Sequence, residues 1–438
     1  MTVTAAPRRR PALRRRRTWL VAAAALIVIA AFGLRVAYVD ATPGMRLVDD
    51  GRDYDTHAVS IARGDGYARR LGTPRPTAFR PPGYSYLLGG LYRVTDAWQK
   101  PRPERVVVAR RMQVVIGTVI VAMIGLLAAQ VWGAAVALVS MALAAVYVPL
   151  VAMSGTVMSE PLFAVLMLGA LSAAVQHRRS AHRYAWALLA GVLAGAAILT
   201  RANGMILLVP LAFAVWDVRP RLSARALAAP VALVVVAVLT VSPWTIRNAR
   251  AFHTFIPVST QLGSALAGTY NDSARTDPVR PASWRSLRRV PSYADLYGRL
   301  RQTDEAVLER RLRHRAERYA LHHPFYVAEV AFWTTVRGLE LDDMQWSIHT
   351  ASTVSIDATW ARRGVWCFWL FAVLALAGAF TALARRAPWF VWAFPVLMYL
   401  SVVFLVIETP RYRTPIDPFI VMLAALALVA AGRRLRRR

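Results

Sequence analysis

The feature that most constrains this chain is a series of apolar runs too long and too unbroken to be the buried faces of soluble helices. They lie at 19–39, 106–131, 134–150, 161–175, 184–199, 205–216, 227–241, 365–383, 389–407 and 416–431. A helix needs roughly 20 residues to cross the hydrocarbon of a bilayer, and fewer where its ends are buried in protein. The runs therefore predict an all-α, polytopic membrane protein of about ten transmembrane helices. The run at 205–216 is the shortest of them. With 57% hydrophobic residues, a soluble globule is excluded as the fold class.

Charge sets the orientation. Arg8–Arg10 and Arg14–Arg17 precede the first run, which is too long for the apolar core of a secretory signal and has no convincing small-residue cleavage site behind it. Residues 1–17 thus read as a cytoplasmic basic tail ahead of an uncleaved span. Counting spans from there, the inner connections are 177–183, 217–225, 385–386 and the tail 433–438, all short and basic. The opposite set holds Asp49, Asp50, Asp53, Glu160, Glu408 and Asp417. Both termini are then cytoplasmic, in a plasma (inner) membrane protein. We expect a single integral-membrane domain over residues 1–438, with a first outer loop at 40–105 carrying the acids and a long outer loop at 243–363. Within the latter, 304–321 and 325–337 alternate apolar residues with arginines or end on an aromatic anchor, as amphipathic helices on a membrane surface do.

The formal charge of +30 suggests an anionic partner, but the arginines cluster at the ends of apolar runs, where membrane lipids and phosphorylated substrates fit better than nucleic acid. Lys100 is the only lysine, so nearly all the charge is guanidinium, which stays ionised and grips phosphate with two donors at once. Cys367 is the sole cysteine, which excludes an intrachain disulfide and a cysteine metal site. The histidines lack metal-ligand spacing.

On the predicted outer face, Asp49, Asp50, Asp53 and Tyr54 come from the first loop together with Arg80. Glu160 comes from the connection before the fourth span. Arg201 ends the fifth span, Arg247 the seventh, and Arg411 and Arg413 sit before the tenth. Charges so near hydrocarbon are expensive and face a protein cavity or water rather than lipid. Carboxylates beside arginines suit a reaction in which a hydroxyl loses its proton to a base while a phosphate departs as an anion. Transfer of a sugar from a polyprenyl phosphate needs both elements and a groove for the lipid tail.

Asp50-x-x-x-Tyr54 followed by HA, then GDGY, RPPGY, MSEPLF, LTRANG, PWTIRN and RYRTPIDPF, in that order, resembles the GT-C superfamily of integral-membrane glycosyltransferases. By motif the nearest members are bacterial homologues of the protein O-mannosyltransferases and of the lipid A aminoarabinose transferase. The resemblance runs from Arg35 to about Leu428. It implies a polyprenyl-phosphate-linked sugar donor, an extracytoplasmic acceptor (glycan, lipid or protein hydroxyl) and an acid of the first outer loop as general base. That acid is Asp50, with Asp49 as its neighbour and Asp53 in reserve. Tyr54, Arg80, Glu160, Arg201, Arg247, Arg411 and Arg413 are then the candidate substrate and phosphate contacts. Asp417 reads as a cap on the tenth span. No cofactor and no dedicated metal site are expected, although the carboxylates leave room for a divalent ion. The competing class is a polytopic transporter or lipid flippase without transferase activity. Intramembrane repeats would mark it, and none is evident.

Overall fold

The structure is a computed structural model that describes residues 9–68, 71, 75–216, 219–220, 222–298, 304–404 and 410–436, with side chains from Thr18 onward. Glu408 lies outside the described residues, as do parts of the tails and of the 217–225 connection. Helix α1 (Arg9–Ala41) leads to α2 (Asp49–Arg63) and α3 (Pro82–Val94), then to α4 (Arg102–Trp132), α5 (Ala134–Val146) and α6 (Val148–Met153). Next come α7 (Glu160–His177), α8 (Arg183–Thr200), α9 (Leu208–Val215) behind a 3₁₀ turn at Ala202–Leu207, and α10 (Ala224–Phe252). The segment after α10 holds α11 (Gln261–Thr269), α12 (Asp272–Arg275), α13 (Ala294–Gly298), α14 (Glu305–His322), α15 (Pro324–Gly338) and α16 (Met344–Ser352). The chain closes with α17 (Ala358–Ala379), α18 (Trp389–Val403) and α19 (Asp417–Leu435). Among the described residues there is no strand, only an isolated bridge between Ala68 and Pro76.

Among the described residues, seven helices are long and apolar enough to cross a membrane, and three shorter apolar helices, at 134–146, 202–215 and 389–403, accompany them. Together they match the ten runs of the sequence, and the protein is a multi-pass membrane protein. Two boundaries differ from the expectation. The seventh helix does not stop near Val241: α10 runs on through Pro243 to Phe252 and carries Arg247 in its last turns. A proline removes only one hydrogen bond of the ladder, and neighbouring groups in a bundle absorb that loss. The short sixth run begins as a 3₁₀ turn before becoming α9, which explains its length.

Between apolar helices in lipid there is little hydrophobic driving force, so close packing through small residues takes its place. Gly191 and Gly195 of α8 show this. A methyl on Gly191 would lie 2.5 Å from the Leu233 carbonyl oxygen of α10, and one on Gly195 would lie 2.8 Å from that of Ala237. On α17, a methyl on Gly378 would lie 1.9 Å from the Leu423 carbonyl oxygen of α19.

Arginine does the same work at the end of the bundle that carries the acids. Arg35 of α1, fully buried, donates to the carbonyls of Ala31 at 3.0 Å, Ala144 at 3.4 Å and Ala145 at 3.4 Å, and to Ser154 Oγ at 3.1 Å. Arg110 of α4 donates to the carbonyls of Gly155 at 2.8 Å and Thr42 at 2.7 Å. Between them they stake down the turn that leads into Glu160. A third arginine, Arg105, clamps α2 onto α4 by gripping the buried Asp55 with Nε at 2.7 Å and Nη2 at 2.8 Å, and Tyr92 and Arg102 add donors at 3.1 Å each.

Removing one partner of a buried ion pair strands the other charge, which costs about 3–5 kcal/mol. Asp55→Ala is therefore expected to destabilise the protein by roughly that amount, read as a lowered thermal unfolding midpoint in detergent. A midpoint within the error of wild type would show that Asp55 does not hold α2 in place.

Candidate active site

Helix α2 begins with the acids. Asp49 takes a left-handed backbone (φ 37°) that aspartate tolerates better than most residues, and it turns outward, exposed and without an ion pair among the described residues. Asp50 and Asp53, one turn apart, point the other way. Asp50 Oδ1 accepts a hydrogen bond from Arg80 Nη2 and its Oδ2 one from Arg411 Nη2 at 2.6 Å. Asp53 Oδ2 accepts from the Nη2 of Arg80 at 3.0 Å and from its Nε at 3.3 Å.

The network continues through Glu160, the first residue of α7. Its Oε1 lies 2.8 Å from Arg201 Nη1 and 3.9 Å from Arg411 Nε. Tyr54 donates to Ser159 Oγ at 3.0 Å, and Ser159 in turn receives Arg201 Nη1 at 3.4 Å. Tyr412 lies beneath both guanidiniums, its ring centre 4.7 Å from Arg411 and 5.1 Å from Arg201. Three carboxylates and three guanidiniums thus alternate from Asp53 to Arg201, contributed by α2, the turn before α3, α7, the end of α8 and the turn before α19.

Local sequence explains why these side chains arrive here. Arg80 is followed by Pro81 and Pro82, which start α3 and force an extended approach. Its carbonyl accepts from Tyr67 Oη at 3.0 Å, so the GDGY tyrosine anchors the RPPGY turn. Gly64, at φ 90°, ends α2 in the left-handed cap that lets the chain double back to that tyrosine. Arg201 stands just beyond the C-terminus of α8 and Glu160 in the first turn of α7, each on the end of its helix that the dipole favours.

Burial opposes ionisation of Asp50, yet the charges and hydrogen bonds of Arg80 and Arg411 outweigh it and hold its carboxyl well below the usual carboxylate range. Burial also pushes the Tyr54 phenol up to about 12, further from ionising, and it is a neutral donor to Ser159. Asp50, Tyr54, Arg80 and Arg201 line a cavity of about 470 Å³, inside the usual range for small-molecule sites. Its other walls come from Asn203, Ser401, Tyr412, the 255–262 segment and α14. Arg411 and Arg413 line a second, smaller cavity of about 60 Å³.

Two of the arginines read from the sequence stand apart from this cluster. Arg413 pairs with Asp417 at 3.0 Å and Glu340 at 3.4 Å, and donates to the Gly338 carbonyl at 2.8 Å. Asp417 therefore serves that pair, with Tyr147 Oη at 3.2 Å, rather than capping α19, whose N-cap is Ile416. Arg247 spends its donors on the carbonyls of Thr77 at 2.8 Å and Tyr67 at 3.2 Å and lies over the Trp244 ring at 4.7 Å. The rest of the PWTIRN motif behaves alike: Trp244 Nε1 donates to the Val258 carbonyl at 2.7 Å and Asn248 Nδ2 to that of Ile256 at 3.1 Å. This motif ties the 256–258 segment to the first connection. Among the described residues, no group of three His, Cys, Asp or Glu is placed to hold a metal ion.

Glu305 closes the arrangement, and nothing in its sequence context marked it. Its carboxylate accepts from Thr77 Oγ1 at 2.7 Å, the Ala78 backbone N–H at 2.9 Å and Thr260 Oγ1 at 2.7 Å. The N-terminus of α14 is thereby fastened to the strip that carries Arg80. Ser159 and Tyr412 were not among the candidate residues either, although both lie inside the MSEPLF and RYRTPIDPF motifs.

Residues 80–246 match the model of the dolichyl-phosphate-mannose-protein mannosyltransferase family. No curated protein sequence matches the chain. Among solved structures, the oligosaccharyltransferase AglB of Archaeoglobus fulgidus, in complex with an inhibitory peptide and a dolichol-phosphate, is 15% identical, with a TM-score of 0.55 over 96% of this chain and 51% of that one. The apo form of the Archaeoglobus enzyme aligns with a TM-score of 0.53 at 13% identity over 95% of this chain and 51% of its own. ArnT of Cupriavidus metallidurans bound to undecaprenyl phosphate is 14% identical over 94% of this chain and 78% of its own, with a TM-score of 0.39. At such identities the oligosaccharyltransferase likeness is one of fold, and this chain spans about half the length of those enzymes.

If Glu305 fastens α14 to the Arg80 strip, Glu305→Ala should raise amide hydrogen exchange at residues 75–80 and 254–262 by about tenfold, the opening cost of one charged hydrogen-bond cluster. Unchanged protection in both segments would show that other contacts hold them.

Proposed function

We propose that this chain is an integral-membrane glycosyltransferase of the GT-C superfamily and that it transfers a sugar from a polyprenyl phosphate to a hydroxyl of an extracytoplasmic acceptor. The carrying observation is the junction at which Arg80 and Arg411 meet the Asp50 carboxylate at the wall of the large cavity. A lipid-phosphate donor accords with the dolichol-phosphate held by the archaeal oligosaccharyltransferase. The basic short connections 177–183 and 385–386 support a cytoplasmic opposite end and hence an extracytoplasmic site.

In this reading the donor phosphate enters the cavity and competes with Asp50 for Arg80 and Arg411. Guanidinium pairs phosphate at least as well as carboxylate, so the exchange costs little charge stabilisation. Asp50, released from its partners, regains the basicity that they suppress in the empty site. It then accepts the proton of the acceptor hydroxyl as that oxygen attacks the anomeric carbon. The bond from that carbon to the phosphate oxygen breaks, and polyprenyl phosphate leaves with the electron pair against the arginines. Attack opposite the leaving phosphate inverts the anomeric configuration. Asp53, sharing Arg80 with Asp50, positions that guanidinium.

Asp50→Asn is expected to lower transfer from radiolabelled polyprenyl-phosphate sugars by about 10²–10⁴-fold at matched protein level, while Asp53→Asn falls by about tenfold or less through misplaced Arg80. The reverse ranking would move the base to Asp53. A product that retains the donor's configuration would rule out direct displacement, and lipid translocation without a new glycosidic bond would favour the transporter class.

The same exchange separates two pH profiles. A carboxyl whose folded pKa is depressed stays ionised as pH falls, and its ion pairs stabilise the fold above the unfolded value of about 3.9. The kcat/KM profile, which reports the free enzyme, should therefore stay flat from about pH 7 to about pH 5. The acid limb of kcat should lie at higher pH, because the bound phosphate has taken the arginines. Coincident limbs would argue that Asp50 keeps its partners throughout.

A further inference from the structure

Asp50 is not the only carboxylate at the wall of the large cavity. Glu309, on α14, also lines it, together with Arg313 one helical turn on. Their side chains form an i, i+4 pair, Arg313 Nε lying 3.5 Å from Glu309 Oε1. That nitrogen is buried and makes no hydrogen bond. The Glu309 side chain is 14% exposed, and burial pushes its carboxyl up, as expected where water is being excluded.

This turn of α14 is held rigidly on two sides. A methyl on Gly263 would lie 2.4 Å from the Glu309 carbonyl oxygen, so α11 rests directly on the backbone there. One turn earlier, Glu305 ties the helix to the Arg80 strip. A surface salt bridge contributes little to stability and would not need such support. An amphipathic helix of this composition could also have turned both charges to water, as it does Arg310, Arg311 and Arg318.

The chemistry of the pair differs from that of the arginine cluster. A carboxylate only accepts hydrogen bonds and a guanidinium only donates them, and the two charges cancel. The pair thus has little attraction for a phosphate, but it complements neighbouring hydroxyls, which donate and accept. Asn203, Gln261 and Ser401, neutral and polar, line the same cavity. We propose that Glu309 and Arg313 bind the sugar of the donor, Glu309 accepting from its hydroxyls, and thereby set which sugar is transferred. This rests on the lipid-phosphate-sugar reading of the cavity. It assigns the phosphate to the arginine cluster and the sugar to α14.

The test is competition for the purified protein in nanodiscs between radiolabelled undecaprenyl phosphate and a panel of undecaprenyl-phosphate hexoses and pentoses. Wild type is expected to bind at least one sugar-bearing lipid more tightly than bare undecaprenyl phosphate. Glu309→Gln keeps the shape of the side chain and removes its charge. It should bind the bare lipid phosphate as wild type does, which also certifies its fold, and lose about 10- to 100-fold of the preference for the sugar, the worth of charged hydrogen bonds. Arg313→Ala should erode the same preference. A Glu309→Gln protein that keeps the wild-type preference would overturn the proposal. So would a wild-type protein that binds the bare lipid phosphate without preferring any sugar. Wild type binding neither lipid would instead bring down the functional reading beneath, and this proposal with it.

Discussion

A guanidinium or carboxylate at the edge of a bilayer core is stable only when its charge is answered nearby, and that requirement shapes the acidic end of this bundle. Asp53, Arg80, Asp50, Arg411, Glu160 and Arg201 answer one another in alternation. Because each member shares its partner with the next, no single element can be withdrawn without stranding a charge on another. The pairing therefore joins five stretches of chain that lie far apart in sequence, and it fixes where the cavity wall is.

Backbone carbonyls answer three further arginines in the same region. Arg35, Arg110 and Arg247 have backbone carbonyls as partners rather than carboxylates. A planar group with five donors can satisfy several carbonyls at once, which lysine cannot do in the same geometry. The turn before Glu160 and the strip before Arg80 gain their precision from these contacts. Residues that never line the cavity thus hold those that do.

How much of this was legible follows from the kind of signal involved. The apolar runs are set by bilayer thickness, and every one of the ten reappears as an apolar helix in place. That acids and arginines from distant motifs gather at one end also followed from the order of the spans. The partners of each arginine did not. Arg247 and Arg411 both flank an apolar stretch beside aromatic residues, yet one faces carbonyls and the other Asp50. Residue type and spacing say that a guanidinium needs acceptors, not which ones the packing supplies. Arg413 and Asp417 carry the same lesson, since a reading that knew only helix ends made a cap of what is an ion pair. Glu305 and Glu309 were hidden for a further reason: on an amphipathic helix every charge is assigned to water until a second surface is known to cover it.

That covering surface bears on how Asp50, so heavily paired, could act as the proposed base. A carboxylate between two arginines is a poor proton acceptor, and its depressed pKa is the measure of that. The pairing nevertheless solves a problem of the empty site, where an unpaired Asp50 would draw water and neutralise by taking a proton. In the proposed reaction an incoming phosphate would change the balance by offering the same arginines a second anion, and Asp50 would then be exposed as a base only with the leaving group in place. Since Glu160 also engages Arg411 and Arg201, the proposed exchange would leave the guanidiniums anchored instead of free to follow the phosphate outward. Under that proposal the alternation of charges would serve two states with one set of residues, balanced without the donor and rebalanced with it.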